Sequence, residues 1–272
     1  MTGRSLYHPR LMLNALRQHR SYIARSAWRD VRHRHVGSVA GASWNVIRPL
    51  ATIAVFTIVF GSIMSGRSTD GFGGVMFTLY LCSALLPWTA LAETLNRGTT
   101  SLVHSAGFLR KLPIPEEVFV AQHVVSAAIS LAISMGLLFV LSPLLGHMPT
   151  WTWLALPVPL TLMLLFGFGM SMALGTVFVF MRDVRQLVEI ALHLGFWTVP
   201  IVYDPDLVPA WFRATFAINP VYPFLESTRQ LFLYGRMPGP DLWLLMVLWT
   251  VGACAAGSLI LDRLRDEIRD NL

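Results

Sequence analysis

Between Val118 and Met181 the chain runs for 64 residues without an Asp, Glu, Lys or Arg. That is more apolar length than one membrane crossing of ~20 residues uses. Pro143, Gly146, Pro149, Pro157 and Pro159 interrupt the run, so the pattern predicts two helices joined by a turn rather than one rod. Apolar runs bounded by charges or by Pro and Gly recur along the chain. They predict six crossings, over about 45–65, 73–94, 117–142, 155–181, 186–203 and 241–262.

Three segments fall outside these runs. Residues 9–27 place Leu11, Met12, Ala15, Leu16, Tyr22 and Ile23 on one side of a helical wheel and Arg10, Arg17 and Arg25 on the other, the pattern of a helix lying in a membrane interface. His19 falls on the apolar side and Trp28 on the basic side, and a solvated basic tail is the competing reading. In 96–116, Asn96-Arg97-Gly98 predicts a helix end, Leu102 to Leu109 a short helix, and Pro113 and Pro115 a restart. Residues 204–240 are too apolar for a free loop, and Pro205, Pro209, Pro220, Pro223, Pro238 and Pro240 break them too often for a crossing. Short helices that re-enter the membrane fit, because irregular backbone at that depth must be buried in protein or line a wet path. The expected fold is therefore an all-α polytopic membrane protein. It has an interface segment over 1–43 and one six-helix domain over 44–272, with re-entrant helices between crossings five and six.

Composition agrees: 54% of the residues are hydrophobic and 13% charged, which excludes a sizeable soluble domain. The first forty residues are basic, with no apolar run longer than Leu11 to Leu13. A cleavable signal peptide is not expected. With the N-terminus inside, 17 of the 21 Lys and Arg residues fall on the inner side and 4 on the outer, which predicts two cytoplasmic termini. Cys82 and Cys254 lie in apolar runs, the pattern of buried packing rather than of a disulfide or metal site.

Candidate chemistry is sparse. Glu93 and Glu189 sit near helix ends, within reach of water. His193 lies deeper, as a pore-lining donor or a helix contact, and no carboxylate is paired with it at mid-membrane as a proton relay would need. His33 and His35 are flanked by arginines rather than by metal ligands. No acid, base or metal cluster suits an intramembrane transferase. Aromatic residues gather in Phe56, Phe60, Phe196, Trp197 and Tyr203, either lining a path on which sugar rings stack or forming an interfacial belt. For Trp88, Trp151, Trp153, Trp243 and Trp249 the belt is the preferred reading. Gly167, Ser171 and Gly175, with Ala253 and Gly257, predict close helix seams.

Four blocks in order carry a resemblance. They are Arg29-Asp30-Val31-Arg32 through Gly37-Ser38, Gly41, Trp44 and Pro49-Leu50 to Val59-Phe60-Gly61; Asn96 and Leu102 with Arg110-Lys111-Leu112-Pro113; Arg182-Asp183-Val184 followed by Pro200-Ile201-Val202-Tyr203; and Asn219-Pro220 with Arg229. Nearly end to end, the chain resembles the permease subunit of a type-2 ABC exporter. The branch is the one exporting lipid-linked polysaccharides such as O-antigen, capsular glycan, galactan or teichoic acid.

The resemblance implies a homodimeric channel in the cytoplasmic (inner) membrane with two copies of a P-loop ATPase subunit, which hold the ATP and Mg. This chain has no Gly-x-x-x-x-Gly-Lys-Ser/Thr loop, so no cofactor of its own and no ATP hydrolysis are expected. The implied channel residues are Phe56, Phe60, His193, Phe196, Trp197 and Tyr203. The implied ATPase-docking residues are Arg17, Arg25, Leu102, Phe108, Arg110, Arg182 and Asp183. His35, where an aromatic residue is common, and Arg48, directly before Pro49, depart from the family pattern at the entrance for the lipid head group. A drug or lipid exporter of the same fold, and more distantly an ATP-independent carrier, are the alternatives.

Overall fold

A computed structural model describes residues 9–34, 40–64, 73–109, 111 and 114–271. Within them the order is α1 (Pro9–Gln18), α2 (Arg20–His33), α3 (Trp44–Met64), α4 (Gly74–His104), α5 (Ala106–Leu109) and α6 (Glu116–Leu144), then α7 (Pro157–Phe180), α8 (Val184–Thr198), α9 (Ala210–Arg213), α10 (Tyr222–Phe232) and α11 (Pro240–Asn271). Short 3-10 turns lie at Gly41–Ser43, Trp151–Ala155, Pro205–Leu207 and Ala214–Ala217, and no strand occurs among the described residues. Five segments are long and apolar enough to cross a membrane, those built on α3, α4, α6, α7 and α11. The run expected over 186–203 is instead the 15-residue α8, closed at Thr198 before Pro200. At 1.5 Å per residue it is ~22 Å long, shorter than a hydrocarbon core of ~30 Å.

α4 and α7 form the centre. Of their most apolar stretches 67% and 61% is buried, against 11% for the segment that includes α3 and 28% for those of α6 and α11. Close approach comes from small residues, Gly175 and Gly257 of the predicted seams together with Gly98 and Gly169, which the spacing did not single out. A Cβ on Gly169 would overlap the backbone of Ala253 and Cys254, one on Gly257 would overlap the Gly169 carbonyl, and one on Gly98 would overlap the Ser171 side chain. A Cβ on Gly175 would lie 3.0 Å from the Gly98 carbonyl oxygen. Without those methyls α7 packs almost backbone to backbone on α11 and on the end of α4.

Several expectations change. α4 does not end at Asn96-Arg97-Gly98 but continues to His104. Its hydroxyls turn back onto their own helix, Thr99 donating to the Leu95 carbonyl at 2.7 Å and Ser101 to that of Gly98 at 2.7 Å. The hydroxyls just past the expected end are thus satisfied inside the helix. Leu102 is consequently fully buried and offers no docking surface. Trp88, expected in a belt, is 7% exposed with its ring edge-on to Phe196 at 6.2 Å. Trp153 packs against both Phe139 and Phe232 at 5.0 Å and donates to the Phe232 carbonyl. Trp151 remains exposed.

Candidate functional site

Two polar regions sit toward opposite ends of α4, around Glu93 and around Tyr80, ~20 Å apart at helical rise. The first joins α2, α4 and α6. Asp30 and Arg34 are one helical turn apart on α2, and Glu93 and Arg97 one turn apart on α4. Arg97 pairs with Asp30. Arg34 reaches Glu93 at 2.7 Å and donates to the Ser126 hydroxyl at 2.8 Å. Ser126 in turn donates to Asp30. Two cations and two anions therefore cancel within one partly buried cluster, which keeps the cost of desolvating them low. Burial opposes ionisation of Asp30. The Arg97 and Ser126 hydrogen bonds, with the Arg97 charge and the bond from Arg34, outweigh it and hold the carboxyl well below the usual range.

Beside this cluster a cavity of about 300 Å³ opens among α2, α3, α4 and α6. Arg34, Asn45, Arg48, Thr52, Glu93 and Ser130 supply its polar lining. Arg48 lies 6.0 Å above the Trp44 ring, within cation–π range. The expected entrance residue is thus placed with a second arginine, Arg34. His35 lies outside the described residues.

The second region is organised by Arg229 on α10, which is 2% exposed. Its guanidinium lies 3.8 Å above the Tyr80 ring, donates to the Pro200 carbonyl at 2.6 Å and approaches Glu226 at 3.4 Å. Tyr80 donates to the Tyr203 carbonyl at 2.8 Å, and the Tyr203 hydroxyl donates to the Trp197 carbonyl at 2.9 Å. One buried cation thereby anchors α10, α4 and the chain leaving α8. Around it is a cavity of about 310 Å³. Burial, followed by the nearby Glu226 carboxylate, pushes the Tyr222 hydroxyl up to about 12, against the opposing Arg229 charge.

An aromatic series leads toward this region. Phe56 stacks on Phe60 at 5.9 Å, Phe60 meets Phe77 edge-on at 4.6 Å, and Phe77 stacks on Tyr80 at 5.9 Å. Phe56 and Phe60 of α3 are thus brought together. Phe196 and Trp197 of α8 form a second pair at 5.3 Å, joined to Tyr203 by its hydroxyl. α8 touches the bundle along a thin seam in which a Cβ on Gly195 would lie 3.0 Å from Trp88. Leu187, Ile190, Leu194 and Trp197 are left exposed, as is His193.

The residues expected to dock an ATPase are spread over separate elements. Arg17 and Arg25 are exposed on α1 and α2, Phe108 is 58% exposed on α5, and Arg182 and Asp183 are exposed in the turn between α7 and α8. Arg182 lies 5.2 Å from the Phe178 ring. Arg110 is outside the described residues. Sequence reasoning missed the Asp30–Arg34–Glu93–Arg97 cluster, although each half is an i,i+4 pair of opposite charge, the spacing that puts side chains on one helix face. No group of three or more metal-ligating residues occurs among the described residues.

Residues 22–233, from α2 to the end of α10, match the ABC-2 type transporter family. The chain belongs to that family. Both polar regions lie inside the matched residues. As an ABC-2 permease the protein is a multi-pass membrane subunit of an ABC transporter and not its catalytic ATPase.

Its relatives include the O-antigen export system permease protein RfbA of Myxococcus xanthus, 23% identical over 263 residues, 96% of this chain and 99% of that protein. Two proteins of the same name from Klebsiella pneumoniae are similar as well. One is 25% identical over 208 residues (76% of this chain, 78% of the relative), the other 24% over 211 residues (77% and 79%).

Proposed function

We propose that this ABC-2 permease forms, as a homodimer with two ATPase subunits, the channel of an ATP-driven exporter moving a lipid-linked polysaccharide across the cytoplasmic membrane. The carrying observation is the likeness, over 96% of this chain and 99% of the relative, to a protein named for O-antigen export. ATP and Mg belong to the partner, and both termini face the cytoplasm, as the Lys and Arg bias supports.

α1 and α2 form the interface helix, and α8 with the residues after it completes a sixth crossing. α9 and α10 re-enter from the outer side. Weak coverage of α3 and α8 supports their role as the faces that meet the second copy and the cargo, because each leaves apolar side chains open. Arg48, with His35, receives the phosphate-bearing head group at the inner cavity. Phe56, Phe60, His193, Phe196, Trp197 and Tyr203 line the path of the sugar chain. Arg17, Arg25, Phe108, Arg110, Arg182 and Asp183 meet the ATPase, and the Arg182-Asp183 turn passes its movement to α7 and α8.

Depletion of the protein in its native host, followed by mass spectrometry of polyprenyl-linked glycans, tests this reading. Accumulation of one lipid-linked polymer with loss of the matching surface glycan is expected. An unchanged glycan pool would overturn it in favour of a drug or lipid cargo.

A further inference from the structure

The Arg229 cavity holds more polar capacity than its structural contacts use. Three carboxylates (Asp204, Asp206, Glu226) and three guanidinium groups (Arg213, Arg229, Arg236) line it, so its formal charge balances. Some of this is spent internally. Arg213 pairs with Asp206 at 3.2 Å, and Glu226 accepts from Gln230 at 2.8 Å as well as facing Arg229. Arg229 Nε is buried without a hydrogen-bond partner, as is Arg34 Nε in the other region, so the free capacity of the cavity lies in its exposed groups Asp204, Asp206, Arg213 and Arg236.

Aromatic faces complete the lining. Tyr222 stacks on the buried Phe216 at 5.3 Å, and Tyr234, 42% exposed, lies under Arg236 at 5.1 Å. A balanced charge disfavours a free anion or cation as the ligand. Paired donors and acceptors beside aromatic rings suit vicinal hydroxyls and an apolar C–H face. The volume of about 310 Å³ lies at the small end of ligand pockets, ~300–1,000 Å³, so the site takes a short piece of a larger molecule.

We infer that the Arg229 cavity is a saccharide subsite, holding a neutral sugar unit of the glycan at the end of the bundle opposite the Asp30 cluster. This rests on the glycan-export reading and adds a binding site that ranks one sugar against another. Arg229 and Glu226 are already desolvated and held against each other, so a sugar whose hydroxyls match them gains bonds that a mismatched one leaves unmade.

The test uses the full-length chain in lipid nanodiscs and saturation-transfer NMR, with oligosaccharides released by mild acid from the host's surface polysaccharide. Tyr234→Ala and Arg236→Ala alter the accessible rim and spare the Arg229 anchor. Arg185→Ala on α8, outside the proposed sugar path, is the comparison, and thermal unfolding checks that each variant folds. The expected result is transfer to a defined sugar unit, a Kd at least tenfold weaker in both rim variants, and little change in Arg185→Ala.

Unchanged binding in the rim variants, or no transfer at millimolar oligosaccharide, would overturn the subsite. Displacement of the sugar by inorganic phosphate would also overturn it, by making the cavity an anion site. If depletion still causes a lipid-linked glycan to accumulate, only the subsite fails. An unchanged pool together with no transfer removes the export reading itself.

Discussion

The two ends of α4 use the same residue types for opposite purposes. Around Glu93, two arginines and two carboxylates from α2 and α4 close on one another with Ser126 between them, joining segments about sixty residues apart in the chain. Around Tyr80, charges of both signs line a cavity and several of them stay exposed to it. A closed cluster holds elements together, so its loss shows in stability. An open one retains hydrogen-bonding capacity, so its loss shows in what the protein binds.

The strongest way to break the comparison is to remove the scaffold both ends share. Gly169→Val sets a branched side chain against the backbone of Ala253 and Cys254, where no rotamer relieves the overlap. A loss of about 3 kcal/mol is expected, seen as a collapse of folded yield by fluorescence size-exclusion chromatography. Both regions should fail together.

Asp30→Ala acts on one end alone. It leaves Arg97 and Arg34 short of a partner, and because the cluster is partly exposed the cost is about 2 kcal/mol, below the ~3–5 kcal/mol of a fully buried pair. Thermal unfolding in detergent should show this. The double variant Asp30→Ala with Arg97→Ala should lose less than the sum of the single changes.

Acid sharpens the same point. The folded-state pKa of Asp30 lies below its unfolded value of ~3.9. Its stabilising contribution is therefore complete above that pH and is lost as pH falls toward the folded value. Unfolding temperature should hold steady with respect to this group from neutral pH to about 4 and decline below it. Asp30→Asn should lose that part of the decline.

Arg185→Ala gives the smallest effect. Its bond to Glu189 at 3.1 Å joins two side chains 62% and 54% exposed, a geometry worth at most ~0.5 kcal/mol. The unfolding temperature should barely move.

The crossings were legible because charges and prolines bound the apolar runs; α3, α6 and α7 fall within a few residues of their expected limits. The far end of α4 was not, since Asn96, Arg97 and Gly98 read as a cap until Asp30 and Ser171 supply their surroundings. The small-residue seams were partly legible as spacing, in Ser171, Gly175, Ala253 and Gly257, while Gly98 and Gly169 were not singled out as seam positions. Leu102 and Trp88 were misjudged for one reason: an apolar residue has the same local pattern whether it faces lipid, a partner or the core. Arg229 stood out as a position, but its partners Tyr80 and Pro200 are distant in sequence, and no periodicity links them. The Asp30 cluster was readable as two separate helical pairs and unreadable as a unit, because pairing between helices is a tertiary event.

The most direct test compares Asp30→Ala with Tyr234→Ala in one host, measuring unfolding temperature and surface glycan exported per folded molecule. The account predicts that Asp30→Ala unfolds earlier, while Tyr234→Ala unfolds at the wild-type temperature and exports less per folded molecule. Wild-type export by Tyr234→Ala, or a wild-type unfolding temperature in Asp30→Ala, would contradict it.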